Sequence, residues 1–212
     1  MAAGVVPQTQ PEQRDPAGIA RVGGWLFRHR TITPVPLALA VLLVPGRGPV
    51  ALVAVGAGLV ALGEAIRLWS VRHIGAISRT RSDRLGPLIA SGPFALVRNP
   101  LYLGNVALWV GFAVSARLPW LAPIFAAILV FEYHAIVRWE ERVLEERLGE
   151  RYRAYVAHVP RWIPRMATPA PSAIPVFSWR ETFYSERGTL VAIAIGFALL
   201  WLKAHGLWLK PA

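Results

Sequence analysis

The sequence predicts an all-α, polytopic membrane protein with about five transmembrane helices. Hydrophobic residues make up 55% of the 212 residues and charged residues only 17%, whereas a soluble domain usually carries about 25% charged residues. Apolar segments follow one another along the chain, separated by turns and charged stretches. The five segments that could cross a membrane are 32–45, 49–71, 101–116, 118–137 and 189–202.

Two of these segments, 49–71 and 118–137, reach the roughly 20 residues that a full crossing needs. The first and third, 32–45 and 101–116, are short, so they would be tilted or would extend into their flanks. The last segment could continue to Leu209.

Proline and glycine mark the ends of these segments. Pro45-Gly-Arg-Gly-Pro49 and Arg117-Leu-Pro119 predict turns that join the first pair and the second pair of helices. Residues 168–175 are rich in proline and predict an extended linker. The stretch up to about Pro16 predicts a disordered tail. The predicted regions are a cytosolic tail (1–30), a membrane core (31–165), a Pro-rich cytosolic linker (166–188) and an additional C-terminal transmembrane helix (189–212).

The basic residues are distributed unevenly between the two sides of this arrangement. Nineteen of the 23 Lys and Arg residues lie on the side of the N-terminus, and the other side holds only Arg47, Arg117, Lys203 and Lys210. The positive-inside rule therefore places the N-terminus in the cytosol. The net charge of +11 is explained by this topology and by contact with anionic lipid, and no nucleic-acid partner is expected. Residue usage suggests a bacterial source, and hence the inner membrane.

Several chemistries are excluded or disfavoured by composition. The chain has no Cys, so disulfides, thiolate metal sites and cysteine nucleophiles are excluded. The five His residues show no metal-ligand spacing, and no metal site is expected. Gly56, Gly58 and Ala61 match a dinucleotide-binding pattern, but the surrounding run is apolar on every side. We expect Gly56, Gly58 and Gly63 to let membrane helices approach closely.

Glu64 and Arg67 are ionisable residues inside the second apolar segment. Three residues separate them, so they share one helix face. Charges within a membrane helix are costly and are usually paired or functional. They would either neutralise each other or line a cavity through which a substrate enters.

A polar segment between the second and third apolar stretches carries the first motif, Arg98-Asn99-Pro100-Leu-Tyr102. Pro93 and Pro100 bracket a segment predicted to be non-helical. Pro100 suits the first turn of the third helix, with Asn99 as its N-cap. The free amides at this helix start favour a carboxylate or phosphate.

The second motif is the pair Glu140-Glu141, followed by Tyr152, Tyr155 and Arg161. We expect the fourth helix to run on to about Leu148 and to end at Gly149. Adjacent residues on a helix point about 100° apart, so one carboxylate can face inward while the other fixes an arginine or a loop amide.

Together these two motifs resemble the isoprenylcysteine carboxyl methyltransferase and phospholipid methyltransferase superfamily of integral membrane enzymes. The resemblance covers residues 91–164, about a third of the chain. Its first motif is carried by Arg98, Pro100 and Tyr102, and its second by Glu140 and Glu141. Asn99 stands where the carboxyl methyltransferases have His, and the phospholipid branch has the Asn-Pro-x-Tyr form found here.

The resemblance implies an S-adenosylmethionine-dependent methyltransferase with its cofactor site at the cytosolic face. It implies cofactor binding by residues of both motifs and catalytic roles for Arg98 and Glu141. Arg67 and Glu64 are further catalytic candidates because they share one face inside the second apolar segment, where they could position the acceptor. The implied acceptor is lipophilic and arrives from the membrane lipids. The expected cofactor-binding residues are Arg98, Asn99, Pro100, Tyr102, Glu140, Glu141, Tyr152, Tyr155 and Arg161.

Two other functions are compatible with parts of the sequence. NADPH-dependent sterol reductases share an Arg-x-Pro-x-Tyr-x-Gly run, although an acidic residue usually follows their Gly and this chain has Asn105. A non-catalytic membrane scaffold is the third class. The methyl acceptor stays open between a prenylated cysteine, a phospholipid amine and a small lipophilic thiol or acid, and so does the oligomeric state.

Overall fold

The computed structural model describes residues 17–75, 88–165 and 176–206. Within these ranges the chain forms eight α-helices and no strand, which confirms the predicted all-α class. The predicted tail up to Pro16 and the Pro-rich stretch 168–175 lie outside the described residues. The helices are α1 (Ala17–His29), α2 (Pro34–Leu43), α3 (Ala51–Ile74), α4 (Pro93–Leu96), α5 (Pro100–Ser115), α6 (Leu121–Leu148), α7 (Glu150–His158) and α8 (Trp179–Ala204).

Five of these helices occupy the five predicted apolar segments. By length and composition α3, α6 and α8 can each cross a membrane, with 24, 28 and 26 residues, respectively. The apolar helices α2 and α5 are shorter, with 10 and 16 residues. The chain is therefore a polytopic integral membrane protein. Helix α8 begins at Trp179, well before the predicted start at residue 189, because Ser178 and Glu181 form a capping box there.

Helix α6 packs between α1 and α5. Its inward residues Phe125, Leu129 and Ile136 are buried, with at most 2% of each side chain exposed. They pack against apolar residues of α1, α2 and α5. This single rod passes through the apolar core and then continues into the charged segment that carries the second motif.

Helix α1 falls within the region 1–30 that was predicted to be a cytosolic tail, so this helix was not predicted from the sequence. It packs against α6, where a Cβ atom at Gly23 would lie 1.9 Å from the Ala135 carbonyl oxygen. The ring of Phe27 packs on Trp139 with centroids 4.8 Å apart. The missing glycine side chain lets the two backbones approach, and Phe27 supplies the buried apolar contact.

Helices α3 and α5 also meet through small residues. A Cβ atom at Gly63 would lie 2.7 Å from the Gly104 carbonyl oxygen, and one at Gly56 would lie 2.3 Å from the Ser115 nitrogen. The predicted packing role of these two glycines in α3 is thus confirmed. Gly58 differs, because a Cβ atom there would meet nothing within 4 Å. It faces away from α5, so the prediction was wrong at that position.

The ends of α5 and α6 follow the sequence signals with two corrections. Helix α6 reaches Leu148 and ends at Gly149, whose φ of 52° suits glycine, and α5 begins at Pro100 as predicted. Between Pro93 and Pro100, however, the chain forms the short helix α4 before three non-helical residues. Asn99 occupies the N-cap position without a capping side-chain hydrogen bond, because its side-chain amide donates to the Arg161 carbonyl oxygen instead.

Polar contacts fix both ends of α8. At its start, the Phe177 amide donates to the Arg72 carbonyl oxygen over 2.9 Å, and Arg72 lies 4.4 Å above the Trp179 ring. At its other end, the buried Lys203 ammonium donates to the carbonyl oxygens of Val41 and Val44 at the end of α2. Helix α8 is therefore held against both α3 and α2.

Candidate functional site

The two sequence motifs meet in an ion triad centred on Glu141. Arg98 Nη1 donates to Glu141 Oε1 over 2.7 Å. Arg161 donates twice, from Nε to Oε1 over 2.9 Å and from Nη2 to Oε2 over 2.6 Å. The three side chains are between 11% and 26% exposed, so water screens these charges only partly. Two-point contact between a guanidinium and a carboxylate fixes orientation as well as distance.

Backbone hydrogen bonds join the loop after α7 to the segment before α5. The Arg98 amide donates to the Pro160 carbonyl oxygen, and the Arg165 amide donates to that of Leu96, each over 2.9 Å. The Asn99 amide group adds a third link, to the Arg161 carbonyl oxygen over 3.1 Å. These bonds hold the loop against the first motif independently of the ion pairs, so the triad is positioned by the backbone.

Helix α7 contributes two tyrosines to the same region. Tyr155 donates its hydroxyl to the Phe94 carbonyl oxygen over 2.7 Å, and Tyr152 is buried. Burial raises the pKa of the Tyr152 hydroxyl, and the charge of Glu141 raises it further, whereas Arg98 and Arg161 act in the opposite direction. Burial also raises the pKa of Tyr155. Both hydroxyls stay protonated at neutral pH; the Tyr155 hydroxyl donates to Phe94, whereas the Tyr152 hydroxyl accepts a hydrogen bond from Arg98.

Glu140 points to a different neighbourhood from Glu141. Its Oε1 accepts a hydrogen bond from the Tyr102 hydroxyl over 3.0 Å. The Tyr102 ring stacks on Tyr133 of α6, with centroids 4.6 Å apart. The acidic pair thus divides as the helix geometry predicts, with Glu141 fixing two arginines and Glu140 facing the aromatic residues.

One donor at this site lacks an acceptor. Arg98 Nε is buried and makes no hydrogen bond to any residue that the structure describes, although Nη1 of the same side chain pairs with Glu141. A buried guanidinium N–H without a partner is costly. The first turn of α5 follows directly, and no side chain caps it. An anion placed here would satisfy both groups.

A second polar cluster lies within the membrane helices around Arg67. On α3, Glu64 Oε2 lies 3.4 Å from Arg67 Nε, and on α5 Asn105 accepts from Nη1. On α8, Glu186 Oε2 accepts from Nη2 over 2.6 Å, and the Thr189 hydroxyl accepts over 3.2 Å. Three helices therefore meet at one guanidinium.

The side chain of Tyr133 connects the Tyr102–Glu140 pair to the cluster around Arg67. It stacks on Tyr102, and its hydroxyl forms a hydrogen bond with Asn105, which in turn binds Arg67. A continuous series of contacts runs from Glu140 at the outer end of α6 to Glu186 on α8.

The structure brings the predicted site residues into these two clusters. The triad itself consists of Arg98, Glu141 and Arg161, and it is bordered by Asn99, Tyr152 and Tyr155. Tyr102 and Glu140 lie beside Tyr133, and Glu64 and Arg67 lie on α3. Pro100 contributes by starting α5. Sequence reasoning missed Tyr133, Asn105, Glu186 and Thr189. The spacing of Thr182, Glu186 and Thr189 places them on one helix face and was the available signal. Among the described residues, no group of three His, Asp or Glu could hold a metal ion.

The central part of the chain matches a known protein family. The phospholipid methyltransferase family matches residues 51–151, which run from α3 to the start of α7. No solved structure matches.

Three curated relatives match about half of the chain. Protein-S-isoprenylcysteine O-methyltransferase B of Arabidopsis thaliana is 26% identical over 113 residues, which cover 51% of this chain and 57% of the relative. Nickel-cobalt-cadmium resistance protein NccN of Alcaligenes xylosoxydans xylosoxydans is 29% identical over 117 residues, 55% of this chain and 52% of the relative.

Cobalt-zinc-cadmium resistance protein CzcN of Cupriavidus metallidurans is 28% identical over 108 residues, which cover 51% of this chain and 47% of the relative. This chain therefore spans about half the length of the curated relatives that it matches. The matched region contains Glu64, Arg67, Arg98, Asn105 and Glu141, whereas Tyr152, Tyr155, Arg161, Glu186 and Thr189 lie beyond its end at residue 151. These matches support the superfamily of membrane methyltransferases that comprises the phospholipid and isoprenylcysteine carboxyl methyltransferases.

Proposed function

We propose that the protein transfers a methyl group from S-adenosylmethionine to a lipophilic acceptor at the cytosolic face of a bacterial inner membrane. Two findings support this proposal, namely the family of the chain and the convergence of both motifs on the triad around Glu141. The observation that carries the proposal is Arg98, whose buried Nε lacks an acceptor directly before the uncapped start of α5.

The donor set at this position fits the carboxylate of the methionine moiety. Arg98 Nε and the first amides of α5 would donate to it, while Glu141 holds the guanidinium in place through Nη1. Arg161 keeps Glu141 oriented by its two-point contact. Tyr152 and Tyr155 would flank the cofactor with aromatic faces and protonated hydroxyls. Every one of these groups binds or orients, and none has to accept a proton.

Glu140, Tyr102 and Tyr133 would stabilise a positive charge placed beside them, and the charge of Arg30 already acts on Glu140. A carboxylate attracts a cation directly, and tyrosine faces attract it through their quadrupole. When bound, S-adenosylmethionine would supply a methyl group to a nucleophile of the acceptor that attacks the methyl carbon in line with the carbon–sulfur bond, and the neutral thioether S-adenosylhomocysteine would leave. Such a displacement depends on positioning and on exclusion of water. The stacked pair Tyr102–Tyr133 supplies an apolar wall for that purpose.

We assign binding of the methyl acceptor to the cluster around Arg67 and Glu64. These residues lie on α3 within the membrane, and Asn105 and Tyr133 connect them to Tyr102. A lipophilic acceptor would therefore approach from the bilayer, while the water-soluble cofactor would approach from the cytosol. The two would meet near the cytosolic ends of α5 and α6.

The test uses the purified full chain in lipid nanodiscs with S-adenosylmethionine labelled in its methyl group. We expect label to enter the organic-extractable fraction when a bacterial lipid extract is added. The variant Arg98→Ala should lose about tenfold or more in cofactor affinity, because one charge-assisted contact is removed. Glu146→Gln is the matched control, since Glu146 is exposed on α6.

A parallel reaction contains NADPH in place of S-adenosylmethionine. Consumption of NADPH without methyl transfer would support the reductase function and contradict the proposed methyltransferase function. Calorimetry that detects no S-adenosylmethionine binding to the folded protein would also contradict the proposal.

A further inference from the structure

Two turns meet at the end of the bundle opposite to the triad. The first, residues 44–50, joins α2 to α3, and the second, residues 116–120, joins α5 to α6. The amides of Arg47 and Gly48 both donate to the Arg117 carbonyl oxygen over 3.2 Å, and Arg117 Nε donates to the Gly48 carbonyl oxygen. These hydrogen bonds join the two turns into one surface.

A cavity of about 190 Å³ lies between these turns. It is lined by Arg47 and Arg117 and by the apolar residues Leu118 and Trp120. Leu118 is buried, whereas the Trp120 side chain is 56% exposed. Exposed tryptophans of membrane proteins are enriched at the level of the lipid headgroups. The cavity is therefore expected to lie at the membrane surface, with both cationic and apolar groups in its wall.

Arg117 has an unusual backbone conformation. Its φ is 60°, and among the described residues no other residue except glycine has a positive φ. A side chain makes this conformation costly, and glycine would suit the turn better. Such strain is commonly retained where a side chain must be placed for a function. The arginine at this position therefore needs a reason beyond the turn itself.

No acidic side chain of the chain balances the charges of these two arginines. Residues 33–63, 100–131 and 190–212, which include every helix end on this side, contain no Asp or Glu. Apart from the contact to Gly48, neither guanidinium makes a hydrogen bond or ion pair with a residue that the structure describes. Lys203, also on this side, is already engaged by the carbonyl oxygens of α2. The counter-ion of the two arginines therefore comes from another molecule.

The starts of two long helices add to the positive potential around the cavity. Helix α3 begins at Ala51 after the first turn, and α6 begins at Leu121 after the second. Neither start has a capping side-chain hydrogen bond, and the positive end of each helix dipole attracts an anion. The guanidinium groups and the helix dipoles thus favour the same kind of ligand.

We propose that the cavity between the two turns binds the phosphodiester of an anionic phospholipid in the membrane leaflet opposite to the cofactor site. A phosphodiester matches the planar donor fork of arginine. Leu118 and Trp120 suit the glycerol and the first acyl carbons of a lipid and offer nothing to a free, hydrated phosphate. This lipid is not a methyl acceptor, because Glu141 lies about 30 Å from Leu121 along α6 at 1.5 Å per residue. The inference is therefore independent of the proposed function.

The test measures lipid enrichment at the cavity with the full chain in phosphatidylcholine nanodiscs. Because the chain has no Cys, Val50→Cys, at a 73% exposed position in the first turn, accepts a single fluorescent label. Phosphatidylglycerol or phosphatidylcholine that carries a nitroxide on its acyl chain is added at equal mole fraction and quenches the label only at short range. We expect phosphatidylglycerol to be enriched about tenfold over phosphatidylcholine, because two guanidinium groups attract its charge.

Two variants remove the guanidinium groups separately. Arg47→Gln should reduce the enrichment about three- to fivefold, and its side chain is exposed, so its removal leaves the packing intact. Arg117→Gly should reduce the enrichment to a similar extent while it relieves the strained φ. Arg28→Gln is the matched control, because Arg28 is exposed on α1, on the side predicted to be cytosolic. It should leave the enrichment at the Val50→Cys label unchanged.

A second label separates this cavity from the basic cytosolic surface. Val22→Cys on α1 reports the lipid that the cytosolic arginines attract, and neither Arg47→Gln nor Arg117→Gly should alter its quenching. The inference is overturned if phosphatidylglycerol is not enriched at the Val50→Cys label, or if neither arginine variant lowers that enrichment. Displacement of the quencher by inorganic phosphate at constant ionic strength would assign the cavity to a free anion and would likewise overturn it.

Discussion

Replacing Glu141 with glutamine tests whether the triad supports the cofactor site. The substitution keeps the shape of the side chain and one carbonyl acceptor but removes the charge between Arg98 and Arg161. In the structure, Glu141 accepts three hydrogen bonds from these two arginines. Glutamine can accept only some of these three hydrogen bonds through its carbonyl oxygen. Its NH2 group would face a guanidinium, and both groups are hydrogen-bond donors.

The expected magnitude follows from the partial burial of the triad. Fully exposed ion pairs contribute about 0–1 kcal/mol, and breaking a fully buried pair costs about 3–5 kcal/mol. The side chains of the triad are 11% to 26% exposed, so an intermediate cost of about 2–3 kcal/mol in the free energy of unfolding is expected. Loss of orientation at Arg98 should also weaken S-adenosylmethionine binding about tenfold.

Two measurements on the same purified variants are needed. Equilibrium unfolding in mixed micelles gives the free energy of unfolding, and calorimetry gives the dissociation constant of S-adenosylmethionine. The control is Glu146→Gln, which makes the same chemical change on the exposed face of α6 and should alter stability by less than about 0.5 kcal/mol. If Glu141→Gln loses stability while cofactor affinity is unchanged, the triad is only a structural clamp and our assignment is refuted.

Three further predictions concern the helix bundle. Gly56→Ala should destabilise the protein by about 1–3 kcal/mol, because its Cβ atom would overlap Ser115, whereas Gly58→Ala on the same helix should be neutral or stabilising. Equal free energies of unfolding for the two variants would refute the close packing of α3 against α5 at Gly56. Reporter fusions at Gly46 and Arg117 should give a non-cytosolic signal, as the basic asymmetry requires, and a cytosolic signal at either position would overturn the topology. Lys203→Met should cost about 1–3 kcal/mol, because two carbonyl groups at the end of α2 lose their donor, and an unchanged free energy of unfolding would contradict that anchoring role.

The membrane helices could be predicted from sequence because hydropathy and turn residues act locally. The lipid solvent forces each apolar stretch to satisfy its own backbone by forming a helix. Pro100 and Gly149 marked the helix ends for stereochemical reasons that need no tertiary context. Helix α1 was missed because its arginines and paired glycines suggest a polar segment, and only the contact with Ala135 shows that Gly23 is a packing surface.

The site was only partly predictable because its contacts are distant in sequence. The motif residues Arg98 and Glu141 could be singled out by their resemblance to a known pattern. No sequence pattern indicated that Glu186 would reach Arg67, which is 119 residues away. That contact depends on where α8 packs, and α8 is positioned by Arg72 and Lys203, whose partners are backbone atoms and an aromatic ring.

The length of α6 has a mechanical consequence. Its 28 residues make a rod of about 42 Å at 1.5 Å per residue, which exceeds the roughly 30 Å hydrocarbon core by about 12 Å. Tyr133 and Glu141 are eight residues and about 12 Å apart on this one helix, so a tilt of the helix moves both. Their angular phase is fixed by the number of residues between them. One alanine inserted after Val137 would turn the outer end by about 100°, detaching Glu141 from its arginines while leaving every residue of both clusters in the chain.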